Sequence, residues 1–360
     1  MITRAETLAR AAELRRYFEN AGAQPVETPI LQPARTLLDL YGEDIRARAY
    51  VTSDALRGEQ MLRPDFTVPV VQMHMAHGAE PARYTYAGEV FRRQEHDPDR
   101  ANEFVQVGYE VFDRADPAAA DAEVFALMSD VTAPLNLRAA TGDIGVLMAA
   151  VQGLRTTEPR KAALLRHIWR PRRFRALLDR YAGRVPVSQE RQDLLAKTDV
   201  RIEAPLIGKR SASEIMARVE RLRADARAPS LSSGEVDLLD ALLNVRETIP
   251  FALEHLRDIA VDLSSIASAV ERISRRTDAL ASRGVDIESL PFEANFGRTS
   301  MEYYDGFVFG FFNPARPDQP AIATGGRYDA LTRRLGQGTE IPAVGGVLRP
   351  GLMLELEARP

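Results

Sequence analysis

Leu8, Ala11, Leu14 and Phe18 recur at spacings of three or four, with Arg10, Arg15, Arg16 and Glu19 filling the opposite positions. That period predicts an amphipathic helix, and Asn20-Ala-Gly22 supplies its stop. Pro25–Leu31 reads as a strand interrupted by Pro29, a residue best tolerated at a sheet edge. Ala82–Tyr86, Val90–Arg93 and Phe104–Phe112 read as three further strands. In the last of these Phe104, Gln106, Gly108, Glu110 and Phe112 share one face, while Val105, Val107, Tyr109 and Val111 share the other. Spacing alone makes the Gln106 and Glu110 face the solvent side of an antiparallel sheet.

From Asp121 the texture turns helical. Asp121–Leu127 predicts a helix and Leu135–Ala140 a short strand, and a long helical region runs from Asp143 to about Glu288. Within it Ser232-Ser-Gly-Glu235 has capping-box spacing, and Leu263, Ile266, Val270 and Ile273 form a core stripe at helical period. Strand character returns at Pro291–Phe296 and Tyr303–Phe312. A Gly-rich turn at Thr324–Tyr328 precedes a helix over Asp329–Leu335, and Ile341–Leu348 and Leu352–Leu356 close the chain. With β-rich parts at both ends, the expected class is α+β, a helical unit inserted into an antiparallel-sheet domain. The expected boundaries are 1–145, 146–289 and 290–360.

Composition narrows the function. The 360 residues are 45% hydrophobic and 27% charged, with a net charge of −4, which excludes nucleic-acid binding by bulk charge. The absence of cysteine excludes disulfides, thiolate nucleophiles and Cys-ligated metals. The longest charge-free run, Phe66 to Ala79, falls short of the roughly 20 apolar residues that a membrane span needs. Met1–Thr7 lacks a signal core. The expectation is a soluble, cytoplasmic protein.

Several common sites have no counterpart here. There is no Walker A pattern, no GxGxxG and no GxSxG elbow. His74 and His77 lack a third ligand nearby. Arg166-His-Ile-Trp-Arg-Pro-Arg-Arg-Phe-Arg175 has three readings. It is a solvated helix with Arg stems over apolar surface, a protein interface, or a single-stranded nucleic-acid surface.

Four stretches taken together say more. Leu62-Arg-Pro-Asp-Phe-Thr67 places an acid and a hydroxyl before a helix, and Glu89-Val-Phe-Arg-Arg-Gln94 ends a strand with adjacent arginines. Gln106 and Glu110 share a strand face, and Tyr303-Tyr-Asp-Gly306 and Gly325-Gly-Arg-Tyr-Asp329 set tyrosines beside glycines. Carboxylates for an ammonium and arginine for a carboxylate or phosphate suit a small zwitterion.

These stretches resemble the catalytic core of class II aminoacyl-tRNA synthetases, most closely the histidyl group, over about residues 5–145 and 290–352. Pro29-Ile-Leu resembles the first motif, Glu89–Glu110 the second with Arg92 at its phosphate-binding arginine, and Gly325–Asp329 the histidyl signature. The resemblance implies a histidine pocket: Asp65, Thr67 and Gln106 near the α-ammonium, Glu110 and Tyr304 near the imidazole, with Arg92 and Tyr328 also contributing. Asp65 stands where the synthetases carry Glu, and Phe66 where they carry Gly, adding bulk at the entrance.

The departures bear on activity. Thr299 occupies the position of the family's catalytic arginine, with Arg298 adjacent and expected to face away on a strand. In Ala343–Leu352 the third-motif arginine is replaced by Leu352, with Arg349 three places early, and Gln94 replaces a second-motif Glu. Losing one such positive donor costs about a hundredfold, so adenylate formation is not expected. Met353–Pro360 also leave no room for an anticodon-binding domain of about 50 residues. The chain is therefore similar to regulatory subunits of ATP phosphoribosyltransferase. That resemblance implies a short catalytic chain as partner, self-dimerisation and histidine as effector. It implies no catalytic residue, cofactor, metal, nucleic acid or membrane. A histidyl-adenylate ligase and an RNA-binding synthetase relative are the competing readings.

Overall fold

The structure is a computed structural model that describes residues 2–41, 45–94, 100–202, 205–208, 210–298 and 303–358. The amphipathic pattern becomes the helix Arg4–Asn20, closed at its start by a Thr3–Glu6 capping box. Ala11, Leu14 and Phe18 are buried, whereas Leu8 stays 40% exposed. The expected strand at Pro25–Leu31 is instead two short ones, Gln24–Pro25 and Leu31–Pro33, in different sheets. The two predicted runs Ala82–Tyr86 and Val90–Arg93 are one continuous strand, Ala82–Phe91. Gly88 does not break it, because it lies opposite Gln106 in an unbroken antiparallel ladder.

Among the described residues nine strands form one sheet. Its order is Gln24–Pro25, Ala82–Phe91, Glu103–Phe112, Ala343–Leu348, Ala323–Arg327, Phe307–Phe312, Arg138–Asp143, Pro291–Glu293 and Arg246–Thr248. Most pairs are antiparallel, but Gln24–Pro25 runs parallel to Ala82–Phe91 and Arg138–Asp143 parallel to Pro291–Glu293. Chain segments distant in sequence thus meet at the centre, where Glu103–Phe112 pairs with Ala343–Leu348. A separate three-stranded sheet joins Leu31–Pro33, Gly58–Leu62 and Val51–Asp54.

Helices cover one face of the large sheet. Tyr109 packs on Phe18 of the first helix, with ring centroids 5.3 Å apart. Phe125 of the helix Pro117–Thr132 lies within 6.2 Å of Phe307, Phe309 and Phe311, three alternate residues of one strand. Burying such aromatic surface is the main driving force for closing the layer.

The helical stretch follows its sequence signals closely. The helix Ser233–Asn244 begins with the Ser232–Glu235 capping box, and Leu263, Ile266, Val270 and Ile273 are all buried. The stretch also contributes the edge strand Arg246–Thr248. Its last helix, Ala267–Ser282, carries Arg276, whose Nη1 lies 2.9 Å from Asp143 and 3.5 Å from Asp121.

The predicted Gly-rich turn at Thr324–Tyr328 is a strand, Ala323–Arg327, at the centre of the sheet. A Cβ on Gly325 would lie 2.4 Å from the Gly345 carbonyl oxygen, and one on Gly326 2.6 Å from that of Phe307. Glycine is here because neighbours come close, not because the chain turns. The helix Asp329–Leu335 follows as predicted.

Candidate functional site: a polar cavity on the second face of the sheet

The other face of Glu103–Phe112 is not solvent-facing. Gln106 and Glu110 are each 1% exposed, so the reading from simple alternation fails. The helix Thr67–His77 with the segment before it, and Tyr303–Tyr304, lie over this face and enclose a cavity of about 160 Å³. That is well above the roughly 10–15 Å³ that a single water needs on the same measure, so the cavity can take a small polar molecule.

Of the residues implied by resemblance, Asp65, Thr67, Arg92, Gln106, Tyr304 and Tyr328 line this cavity together with Tyr303 and Thr324. Glu110 is not among the lining residues but belongs to a buried network beside them. Its Oε1 accepts hydrogen bonds from the Thr67 hydroxyl at 3.0 Å and the Tyr86 hydroxyl at 2.8 Å, and its Oε2 accepts one from Tyr328 at 2.5 Å. Burial pushes the Glu110 carboxyl up to about 7, against the three hydroxyls that favour its anion. Burial and then the Glu110 charge hold the Tyr86, Tyr304 and Tyr328 phenols above their ordinary range, so they remain donors.

Glycines make space for this network. Gly345 lies directly across the ladder from Glu110. Gly108 faces Tyr86, whose Cζ a Cβ there would approach to 2.1 Å. Tyr86 is a site residue that the sequence reading missed. Its signal is the register: it pairs with Gly108, two positions from Glu110.

Asp65 Oδ1 accepts from the Val68 amide at 3.3 Å and so holds the start of the helix Thr67–His77. Phe66 does not line the cavity. Its ring stacks on Tyr86 at 4.3 Å and the Arg63 guanidinium sits 3.9 Å over it, so its bulk is absorbed in the core. Gln106 is buried with neither amide atom hydrogen-bonded, an arrangement that native interiors rarely leave unfilled. Arg92 Nε donates to the Pro64 carbonyl at 2.6 Å.

The signature Gly325–Asp329 divides its work. Arg327 donates through Nε and Nη2 to Asp121 Oδ1 at 3.0 and 2.7 Å, and through Nη1 to Asp329 at 3.0 Å. Tyr328 reaches Glu110, while Asp305 accepts from the Asp329 and Ala330 amides at 3.0 and 2.6 Å. Asp305 is itself pushed up to about 7 by burial and by Asp329.

Arg298 lies in a turn rather than on a strand. Its guanidinium donates to the Ile168 carbonyl at 2.7 Å and to Asn295 at 2.7 Å, and packs 4.8 Å over the Phe174 ring. It is thus bound to the helical stretch and absent from the cavity. Thr299 lies outside the described residues. In the Arg166–Arg175 cluster Phe174 is buried and Trp169 packs against the core, so these aromatics are turned away from a base-stacking role. His74 stacks on Phe112 at 4.0 Å, and its Nδ1 lies 3.0 Å from the Tyr84 hydroxyl. Among the described residues no three His, Asp or Glu side chains gather as metal ligands, and no helix is long and apolar enough to cross a membrane.

A second, larger cavity of about 740 Å³ adjoins the first. Arg4, Arg48, Arg92, Arg93, Arg100 and Arg349 line it, against Glu89, Glu103 and Glu355.

This sheet, with its glycine-carved pocket and buried signature, defines a histidyl-tRNA-synthetase-like fold. A profile of the family described as histidyl-tRNA synthetase matches residues 2–228 and 211–350. A Bacillus halodurans structure titled as an ATP phosphoribosyltransferase regulatory subunit/histidyl-tRNA synthetase covers 98% of the chain and 79% of its own, at TM-score 0.68 and 21% identity. A histidyl-tRNA synthetase from Nostoc covers 98% of the chain and 72% of its own, at TM-score 0.65 and 17% identity. Curated relatives named ATP phosphoribosyltransferase regulatory subunit come from Brucella anthropi, 32% identical over 92% of this chain and 93% of that one, and from Brucella ovis, 31% identical over 95% and 92%. The chain belongs to the family of ATP phosphoribosyltransferase regulatory subunits. A regulatory rather than catalytic role agrees with Thr299 and Leu352 standing where the resemblance to synthetases leads one to expect arginines.

Proposed function

We propose that the protein binds histidine in the 160 Å³ cavity and relays its occupancy to a short catalytic chain of ATP phosphoribosyltransferase, whose activity depends on the assembly. The observation that carries this reading is Gln106, a buried amide with both polar atoms unpaired on the cavity wall. Asp65 on the same wall suits an ammonium, and Arg92 suits a carboxylate. Thr67, Tyr304 and Tyr328 complete the polar surround, and Glu110 fixes Tyr328 from outside the cavity.

Feedback then requires histidine to bind more tightly to the assembly state of low activity, a coupling typically of about 1–3 kcal/mol. The same reading takes 1–145 and 290–360 as the synthetase-like core and 146–289 as the helical insertion. It assigns self-dimerisation to the first-motif region, where Ile30, Leu31, Val51 and Leu56 are exposed on or beside the small sheet.

Mixing with a short catalytic chain tests this directly. The expected result is one co-sedimenting complex, a raised phosphoribosyl-transfer rate, and a fall in that rate on adding histidine that Gln106→Ala weakens. Separate sedimentation with no change in rate would sink it. Histidine-dependent ATP–pyrophosphate exchange would favour a ligase, and steeply salt-dependent tRNA binding an RNA-binding relative.

A further inference from the structure

Arg92 and Arg349 both line the small cavity and the large one, so their side chains stand at the boundary between the two. Arg349 closes the strand Ala343–Leu348, with its amide bonded to the Ile322 carbonyl at 2.9 Å and the helix Pro350–Glu357 starting immediately after it. Its backbone is therefore fixed. Its guanidinium donates to the Ala321 carbonyl, as that of Arg92 does to Pro64, and both lie within 6 Å of the same Phe104 ring, at 5.9 and 5.7 Å. Among the described residues neither forms an ion pair with a carboxylate.

Two cations near one ring, with backbone carbonyls as their hydrogen-bond acceptors, are an unfinished charge arrangement. Burial pushes Arg349 down to about 9, and the neighbouring charges of Arg92 and Arg100 add to the push. An anion bound beside the guanidiniums would offset both effects. The small cavity offers both kinds of charge: Asp65 is among its lining residues with the two arginines that it shares with the large cavity, and the unpaired Gln106 amide is on the wall. By resemblance, the arginine expected on the ligand's acid group is replaced by Thr299.

We propose that Arg349, together with Arg92, selects a free α-carboxylate on the amino-acid ligand, supplying from the end of the strand Ala343–Leu348 the charge that the resemblance finds missing at position 299. This rests on the histidine reading given above. It makes Arg349 a specificity-determining residue at a position where the family's sequence motif does not place one.

The test is calorimetric titration of the full chain with histidine and with histidinol, which carries an alcohol in place of the carboxylate. Wild type should prefer histidine by about ten- to a hundredfold, the range of one charge-assisted hydrogen-bonded contact. Arg349→Gln should lose most of that preference, weakening histidine about tenfold or more and leaving histidinol within about twofold; Arg349→Lys should recover part. If Arg349→Gln destabilises the fold, the lysine variant still reads the histidine-to-histidinol ratio. An unchanged ratio in both variants, with Gln106→Ala still weakening histidine, overturns the clamp and leaves the pocket standing. If neither Gln106→Ala nor Arg349→Gln alters histidine binding, the pocket reading falls and the clamp with it. Failure of inorganic phosphate to displace histidine from wild type, with an unchanged ratio in both variants, would place the arginines' anion in the large cavity and overturn the clamp.

Discussion

Gly345 faces Glu110 across the central ladder so closely that a Cβ on Gly345 would fall 1.4 Å from Glu110 Oε2. The buried carboxylate occupies the space of a missing side chain. Gly345→Ala should therefore drive Glu110 out of its hydroxyl network and destabilise the fold by about 1–3 kcal/mol, as overpacking does. Urea unfolding should show the loss, and histidine titration a matching loss of binding.

Glu110 also sets a pH dependence. Its carboxyl is raised to about 7 from an ordinary 4.5, so between those values the folded state holds more protons than the unfolded state. Stability then falls as pH rises through that window, by at most about 1.4 kcal/mol per unit from this group. Glu110→Gln should remove its share, so the variant gains on wild type in denaturation curves between pH 5 and 8. Asp305, also raised to about 7, leaves a residual slope in both proteins.

Arg327 is held by Asp121 and Asp329 in a buried cluster. Arg327→Met leaves those carboxylates with less counter-charge and should cost about 3–5 kcal/mol. Arg327→Lys should recover only part, because a point charge does not reproduce the fork onto Asp121 and Asp329. Thermal unfolding of the two variants against wild type measures the difference.

The helix Ser233–Asn244 offers a milder perturbation. Ser232 Oγ accepts from the Glu235 amide at 3.2 Å, and Ser232→Ala should cost about 1 kcal/mol with histidine binding unchanged. A larger effect on binding than on stability would contradict the purely local role.

Local signals were legible where local physics decides. The capping box at Ser232, the stripe Leu263–Ile273 and the helix Asp329–Leu335 all follow their sequence patterns. Elsewhere distant strands set the environment. Alternation alone puts Gln106 and Glu110 toward solvent, because nothing nearby in sequence shows that the segment before Thr67 and Tyr303–Tyr304 cover that face. Gly325–Gly326 looked like a turn because the crowding that demands glycine comes from Phe307 and Gly345. The resemblance identified six residues of the cavity wall, but Tyr86 and Arg349 needed the register and the paired cavities.

Asp121 is shared between Arg327 of the signature and Arg276 of the helix Ala267–Ser282. That shared carboxylate limits how the helical stretch can be exchanged, by breeding or by engineering. A chimera that replaces the helix Ala267–Ser282 must bring a cation to the place of Arg276. Otherwise it strands Asp143 and leaves Arg327 as the counter-charge for Asp121.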